Sequence, residues 1–358
     1  MKKLNKFVDI GRFRNVIKEV TDRTRYVGKT ETGEPIFDDN ITLPILKFKG
    51  TVKLHGTNAG ISLSNEGEYF AQSKDNIITI QNDNHGFAFY AESNKEVFMK
   101  MFDRIKKQGF GISDMEMLHS FNDHVSTITI FGEWIGQGIQ KGVAIAQLPK
   151  SFVIFGVKLA FSNPEIPSVY LPDFPWSELQ DESIRCYNIQ QYKTFSIDID
   201  FNHPEIAQEQ IEKWVLEVEN ECPFGKKMGV SGIGEGIVFS YFNEDGSMIR
   251  FKAKGEKHSV SKTKSSAPID VEKMNSVSQF VDYSVTENRL NQGMERVFTD
   301  VGETIDIKKL GDFLKWIVND IIKEEMDTMN ESDLTPKDVN PAISKVAREW
   351  FLKKWNTI

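Results

Sequence analysis

The stretch Thr51-Val-Lys-Leu-His-Gly-Thr-Asn58 opens a run of alternating apolar and polar side chains that continues to Leu63. Strict alternation indicates half-buried β-strands, and a glycine followed by Thr-Asn is typical of a turn. We therefore predict two antiparallel strands joined at Gly56, with Lys53 at the end of the first strand. Lysine is nucleophilic only when neutral, which requires desolvation or cationic neighbours because its ordinary pKa is about 10.4. Taken alone, a solvated lysine beside a turn explains the segment better than a reactive one.

Length and charge limit the classes of protein to which the chain can belong. Its 358 residues leave room for two domains, and 39% hydrophobic with 27% charged side chains is ordinary for a globular protein with a core. The formal net charge of -8 argues against a simple charge-coated nucleic-acid-binding module. It allows an enzyme with one basic groove, because electrostatic steering depends on where charges lie.

Cysteine usage and hydropathy indicate a soluble protein of a reducing cytosol. The two cysteines, Cys186 and Cys222, are too far apart to suggest a zinc site or a disulfide framework. The first six residues lack the apolar region of a secretory signal, and no run approaches 18 apolar residues. We therefore expect a cytoplasmic location without membrane contact.

The pattern changes near residue 265, after which helical periodicity dominates. We predict an α+β domain over 1–264 and an all-helical domain over 265–358, with Ser265-Ser-Ala-Pro268 as the linker. The first domain should contain strands at 68–73, 126–135, 151–160, 236–242 and 248–254, a helix from Ser93 and another over 204–218. The C-terminal helices should cover 271–290, 307–329 and 340–355.

Five segments follow one another in an informative order: Lys53-Leu-His-Gly, Phe131-Gly-Glu-Trp, Phe152-Val-Ile-Phe155, Glu235-Gly-Ile-Val-Phe and Arg250-Phe-Lys-Ala-Lys254. Each alone is explained as core aromatics, solvated strand ends or an exposed strand face. Together they supply a lysine, two carboxylates, an aromatic plate and two late lysines. Adenylylation by ATP requires this set, because carboxylates can hold a metal and ribose, the aromatic ring can stack on a purine, and lysines can neutralise phosphate charge during in-line attack.

This order resembles the covalent nucleotidyltransferases, which include polynucleotide ligases and messenger-RNA capping enzymes. Lys53-Leu-His-Gly-Thr-Asn is similar to the RNA ligase 2 type of phage and trypanosome-editing ligases, with His55 where DNA ligases carry Asp. The run from Phe131 to Lys141 is similar to the third motif of that family and its trailing loop. The resemblance covers roughly residues 7 to 262. It implies an α+β, antiparallel-sheet nucleotidyltransferase (ATP-grasp-like ligase) core with a small all-helical C-terminal domain.

The resemblance also implies a role for each matching residue. The catalytic set would be Lys53, which forms lysyl-AMP, with Glu235, Lys252 and Lys254. ATP would be bound by His55, Gly56, Lys74, Glu133 on the ribose and Phe155 on adenine. Mg²⁺ or Mn²⁺ would be held by Glu133 and Glu235, and RNA ends would be placed by Thr57 and Asn58.

Three positions depart from the family pattern. Lys74 stands where an arginine is usual, which exchanges a bidentate fork for a point charge. Gly156 stands where Asp usually follows the stacking aromatic residue, and Val52 stands where the phage type often carries Glu. None of these departures removes a reacting group.

The implied activity is ATP-dependent sealing of 3′-OH and 5′-phosphate RNA ends, with nicked duplex RNA as the expected substrate, by a monomeric, phage-like RNA-repair enzyme. A virus-encoded enzyme would work in the host cytoplasm. The alternatives are a DNA ligase, a GTP-using capping enzyme, or a non-catalytic RNA-binding protein with a degenerate ligase fold. The first two usually carry an OB domain after the last lysines, where this sequence has a helical segment.

Overall fold

The computed structural model describes residues 2–107, 124–171, 178–255, 277–299 and 305–355, which fall into two compact units, 1–253 and 254–358. The predicted boundary at residues 264 and 265, the linker at 265–268 and the start of the helix at 271 lie outside the described residues. The first unit mixes strands and helices, and the second is helical. The predicted α+β class with a helical C-terminal part is therefore confirmed.

The helices of the first unit are α1 (Phe13–Arg25), α2 (Phe87–Ser93), α3 (Lys95–Lys107), α4 (Pro204–Asn220) and α5 (Pro223–Lys227). Its strands are β1 (Tyr26–Lys29), β2 (Pro35–Phe37), β3 (Ile45–Lys53), β4 (Thr57–Ser64), β5 (Tyr69–Ser73), β6 (Ile77–Ile78), β7 (Val125–Ile135), β8 (Ser151–Phe161), β9 (Val169–Tyr170), β10 (Cys186–Asn188), β11 (Thr194–Asp200), β12 (Gly236–Phe242) and β13 (Met248–Lys254).

Two sheets form the body of this unit. The larger has seven strands in the order β10-β8-β7-β4-β5-β6, with β9 paired to β8, and the smaller has four strands in the order β11-β3-β12-β13. Strand β10 runs parallel to β8, whereas β3, β4, β7 and β8 pair antiparallel with their other neighbours. The antiparallel character predicted from period-two patterns is confirmed.

The predicted hairpin around Gly56 is wrong. Strand β3 pairs with β11 and β12 in the four-stranded sheet, whereas β4 pairs with β5 and β7 in the seven-stranded sheet. The chain therefore crosses from one sheet to the other through Leu54, His55 and Gly56. Alternation identifies each strand and the face it buries but does not identify its partner, since either sheet satisfies the same pattern.

Only glycine fits at position 56, because the crossing leaves no room for a Cβ atom. A Cβ atom on Gly56 would lie 2.3 Å from the Trp134 carbonyl oxygen and 2.9 Å from Glu133 Cγ. Neither neighbour can move easily, because both belong to the paired strand β7. The turn thus brings the end of β3 against β7, and this contact positions the site described below.

Two apolar cores support the sheets. One lies between the sheets and the helices α1 and α4, with Phe48, Val52, Val153 and Ile237 among its members. The other lies on the opposite face of the seven-stranded sheet, where α3 buries Phe98, Met101, Phe102 and Ile105. Val97 of the same helix is only partly buried.

The strands predicted at 68–73, 126–135, 151–160, 236–242 and 248–254 and the helix over 204–218 are present within a residue or two of their expected ends. The sequence patterns did not reveal α1, α2, the β1–β2 pair, or the short strands β10 and β11. Gly225 lies within the short helix α5.

The second unit contains α6 (Val277–Ser284), α7 (Glu287–Met294), α8 (Leu310–Glu331) and α9 (Pro336–Trp355). Its own apolar core includes Phe280, Phe313 and Phe351. Trp350 and Trp355 pack against this core. None of the helices in the described segments is both long enough and apolar enough to cross a membrane.

Candidate active site

Lys53 and Glu235 form an ion pair where β3 and β12 lie side by side. Gly236, the first residue of β12, pairs with Lys53 across the ladder, so Glu235 stands immediately before the partner strand. Lys53 Nζ donates a hydrogen bond of 2.7 Å to Glu235 Oε2. The side chain of Glu235 is 2% exposed and that of Lys53 is 19% exposed. The hydrogen-bond partner of the candidate nucleophile is therefore an anion, which sequence order alone did not reveal.

His55 shares the same carboxylate. Its Nδ1 lies 3.3 Å from Glu235 Oε2, so the lysine and the histidine of the Lys-x-His-Gly motif converge on one oxygen. The two residues reach the same oxygen from the end of β3 and from the crossing that follows it.

Glu133 approaches the crossing from the other sheet. It pairs in register with Asn58 on β4, and its Oε1 accepts a hydrogen bond of 3.0 Å from the Gly56 N–H. Burial raises the pKa of Glu133 to about 7, against the lowering effect of Lys53, and the charge of Glu235 raises it further. The two carboxylates therefore belong to one electrostatic cluster around Lys53.

Gln140 completes the support of the crossing and was not among the residues predicted for the site. Its Nε2 donates a hydrogen bond of 3.3 Å to the Gly56 carbonyl oxygen, and the residue is buried. Glu133 and Gln140 thus hold the N–H and the carbonyl of the same glycine. The sequence signal for Gln140 was its place in the glycine-rich stretch 136–142, directly after the apolar Ile139, which is buried.

Phe155 lies on β8, on the face that packs toward the four-stranded sheet. The Phe7 ring stands edge-on to it with 5.2 Å between centroids. The Arg250 guanidinium lies 5.5 Å from the Phe155 centroid and 4.9 Å from that of Phe7. The expected stacking residue is therefore enclosed by two side chains that sequence analysis did not assign to the site.

Lys252 and Lys254 lie on β13 at alternate positions, half-buried, while the intervening Ala253 is buried in the core. They therefore share a strand face with Arg250. Because β13 neighbours β12, this face adjoins the strand that follows Glu235.

Thr57 accepts a hydrogen bond of 3.1 Å from Asn84 Nδ2, and Asn58 is half-exposed beside Glu133. Lys74 follows the end of β5 and is exposed, with its Nζ 3.9 Å from Asp9 Oδ1. No contact between Lys74 and the Lys53–Glu235 pair is found among the described residues.

A divalent cation could be held here by Glu133 and Glu235. In the part of the chain that the structure describes, no three His, Cys, Asp or Glu side chains form a complete metal cluster. Mg²⁺ does not need one, because it is commonly bound by one or two carboxylates together with water and substrate phosphates. Mutual repulsion of the two carboxylates, which raises the pKa of Glu133, also favours a cation between them.

Comparisons with known proteins were made for the whole chain. A model of the RNA ligase family matches residues 47–254, more than half of the 358 residues. Among curated protein sequences, none matches the chain.

Solved structures of Naegleria gruberi RNA ligase are similar to the chain. The structure with PPi is 19% identical, with a TM-score of 0.39, over 70% of this chain and 56% of that one. A mutant with ATP and Mn is 20% identical, with a TM-score of 0.40, over 71% and 57%. A mutant with AMP and Mn is 18% identical, with a TM-score of 0.40, over 70% and 56%. The chain thus spans little more than half the length of these proteins.

Proposed function

The chain belongs to the RNA ligase family, and we propose that it is an ATP-dependent ligase that seals 3′-OH and 5′-phosphate RNA ends, with nicks in duplex RNA as its substrate. The observation that carries this proposal is the position of Lys53, held 2.7 Å from the buried Glu235 at the crossing between the two sheets. An amine in that position, beside a second carboxylate and an aromatic ring on the facing strand, suits transfer of AMP to lysine.

In the first step the Lys53 amine attacks the α-phosphorus of ATP. A nitrogen–phosphorus bond forms, the bond from the α-phosphorus to the bridging oxygen breaks, and pyrophosphate leaves. Lys53 must lose a proton before it attacks, and Glu235 Oε2 is the acceptor within hydrogen-bond distance among the described residues. Lys252 and Lys254, on a neighbouring strand, would offset charge on the phosphate oxygens.

In the second step AMP passes from lysine to the 5′-phosphate of RNA, and in the third the 3′-OH attacks that phosphate and releases AMP. Thr57 and Asn58 begin β4 directly after the crossing. From there their side chains would place the two RNA ends close to the adenylate. Positioning of this kind is the main contribution of a protein to phosphoryl transfer.

Mg²⁺ or Mn²⁺ would be held by Glu133 and Glu235, with His55 turned toward the adenylate phosphate. The bound ion supplies charge neutralisation and orientation of phosphate oxygens. Glu133 must give up a proton to become a ligand, so binding of the ion should weaken as pH falls below about 7.

We also propose a separate role for each of the two domains that the sequence predicts. Residues 1–264 would form the adenylyltransferase domain, and residues 265–358 a helical domain that grips duplex RNA by its shape, phosphates and 2′-OH groups. The enzyme would act as a monomer in the cytoplasm.

The proposal is tested by offering α-labelled ATP or GTP to the wild type and to Lys53→Ala. Label from ATP should stay on the wild-type protein, disappear with Lys53→Ala and with chelation of the metal, and be weak with GTP. Lys227→Ala, an exposed lysine on α5, is the matched control and should label normally. Retained label in Lys53→Ala would refute the mechanism, and preference for GTP would indicate a capping enzyme.

Substrate choice needs a separate assay. Sealing of a nick in duplex RNA should exceed joining of free single strands and sealing of a nick in duplex DNA. Equal joining of free strands would remove the nick-sealing assignment, and preference for duplex DNA would favour a DNA ligase. Absence of label on the wild-type protein together with absence of joining would point to the non-catalytic RNA-binding alternative.

A further inference from the structure

Arg250 is a buried cation that the proposed reaction does not use. It is 8% exposed, and its Nε donates a hydrogen bond of 3.2 Å to Ser240 Oγ. Among the described residues no carboxylate forms an ion pair with it. Its charge interacts with the rings of Phe7 and Phe155, with Tyr170 and, through space, with Glu133. Burial lowers the pKa of Arg250 to about 10, so the side chain stays charged at neutral pH.

A buried charge without a counter-ion is costly to keep. The guanidinium has five N–H donors, of which the bond to Ser240 uses one. The four N–H groups on its two terminal nitrogens have no acceptor among the described residues. These two nitrogens are not fully buried, so they can donate to water or to an acceptor that enters from outside the protein.

The guanidinium lines a small cavity between the two sheets. The walls of this cavity include Phe155 and Gly156 from the seven-stranded sheet, Thr51 from β3, and Phe7. Thr51 stands two residues before Lys53 on the same face of β3, so the cavity opens beside the reacting lysine. The adenine base of an AMP group on Lys53 would reach into this cavity.

The spacing argues for contact with the edge of the base. Stacked planes lie about 3.5 Å apart, so a base between Arg250 and Phe155 would need about 7 Å between them. The observed distance is 5.5 Å. The planar guanidinium must therefore leave the face of Phe155 when a base stacks there. Rotation about the single bonds of the Arg250 side chain, with exchange of the hydrogen bond to Ser240, would turn its terminal nitrogens toward the rim of the base.

Resting on the proposed function, we propose that Arg250 is a base-binding residue that donates a hydrogen bond to a ring nitrogen of the purine stacked on Phe155. A guanidinium only donates, so its partner must be an acceptor. In adenine the acceptors are N1, N3 and N7, whereas the 6-amino group donates and would repel it. The ligand class is therefore a purine nucleotide with an unprotonated ring nitrogen facing Arg250.

The test measures lysyl-AMP formation without RNA, over a range of ATP concentrations. Arg250→Met keeps an unbranched, flexible apolar stem and removes the donors. It should raise KM for ATP at least tenfold with little change in kcat, since a hydrogen bond to a charged group is worth a factor of about ten or more. Arg250→Lys should recover part of the loss. Arg23→Met, which removes an exposed arginine paired with Asp245 on the surface, is the matched control and should leave KM unchanged.

Base analogues identify the contact directly. In the wild type, one of 1-deaza-, 3-deaza- and 7-deaza-ATP should show a KM at least tenfold above that of ATP, and the same analogue should match ATP in Arg250→Met. Should Arg250→Met fail to fold, the wild type still decides, because equal use of all three analogues would overturn the proposal. An unchanged KM in a folded Arg250→Met would overturn it as well. Either result would leave label on Lys53, and with it the proposed function, intact.

Discussion

At the scale of single residues, the site is held together by shared partners. One oxygen of Glu235 serves both Lys53 and His55, and the backbone of one residue, Gly56, serves Glu133 through its N–H and Gln140 through its carbonyl oxygen. A substitution at a shared partner therefore disturbs two contacts at once, and its effects should not add with those of its neighbours.

The raised pKa of Glu133 predicts how the free energy of unfolding changes with pH. The folded-state value of about 7 lies above the ordinary 4.5, so the stability that protonated Glu133 contributes is present below about pH 4.5 and lost as pH rises through 7. Glu133→Gln keeps an acceptor for the Gly56 N–H but cannot ionise. Between pH 5 and pH 8 the wild type should lose up to about 3 kcal/mol of unfolding free energy relative to Glu133→Gln. Urea unfolding at several pH values measures this difference, and parallel stability profiles would contradict it.

The individual residues show what sequence could and could not predict. Motif order drew attention to Lys53, Glu133 and Glu235, and the structure brings these three side chains into one cluster. Their proposed roles remain predictions. Gln140 and Arg250 lie in runs that were singled out but were assigned no role, because they act through contacts with Gly56 and Phe155, which are far away in the chain.

At the scale of elements, the crossing between β3 and β4 is the feature on which the site depends. Alternation predicted both strands correctly but assigned them to one hairpin, because side-chain period carries no information on which sheet receives each strand. The close approach of Gly56 to β7 is a tertiary fact without a local sequence signature beyond the glycine itself.

Gly56→Ala should be strongly destabilising, because its Cβ would meet a carbonyl oxygen at 2.3 Å. We expect a loss of about 2–3 kcal/mol in unfolding free energy, typical of forced overpacking, together with loss of adenylylation. Gly11→Ala is the control, since its Cβ would have neighbours only at 3.5 Å. Chemical denaturation of both variants checks the difference, and equal stability would show that the crossing tolerates a side chain.

The Phe7 ring occupies the space that a side chain at position 156 would need, so glycine fits there. A Cβ on Gly156 would lie 2.6 Å from Phe7 Cζ, and Phe7 is itself packed against Phe131, Phe155 and Tyr170. Gly156→Ala should cost about 1–3 kcal/mol in the wild type and clearly less in a Phe7→Ala background. A double-mutant cycle measured by urea unfolding tests the coupling, and an equal cost in both backgrounds would disprove it.

At the scale of the whole molecule, the described residues form separate cores, two in the first unit and one in the second. The change from period-two to helical patterns near residue 265 predicted a helical C-terminal part, and the second unit is helical. The division into domains at residues 264 and 265 stays a prediction.

Separate cores predict separable functions. A chain of residues 1–264 retains both cores of the first unit and should still form lysyl-AMP within a few-fold of the full-length rate. Sealing of nicked duplex RNA should fall at least tenfold, because the helical unit would no longer grip the duplex. Comparing both activities in the two chains measures this. Full sealing by the shorter chain would assign the helical unit another task.

The central claim is that Lys53 carries AMP, and peptide mapping by mass spectrometry after incubation with ATP and Mg²⁺ tests it most directly. The account predicts the added mass of one AMP on the peptide that contains Lys53, through an acid-labile phosphoramide bond, and transfer of that AMP to a 5′-phosphorylated RNA end. AMP on a different residue, or none on a folded protein that is saturated with ATP and metal, would contradict it.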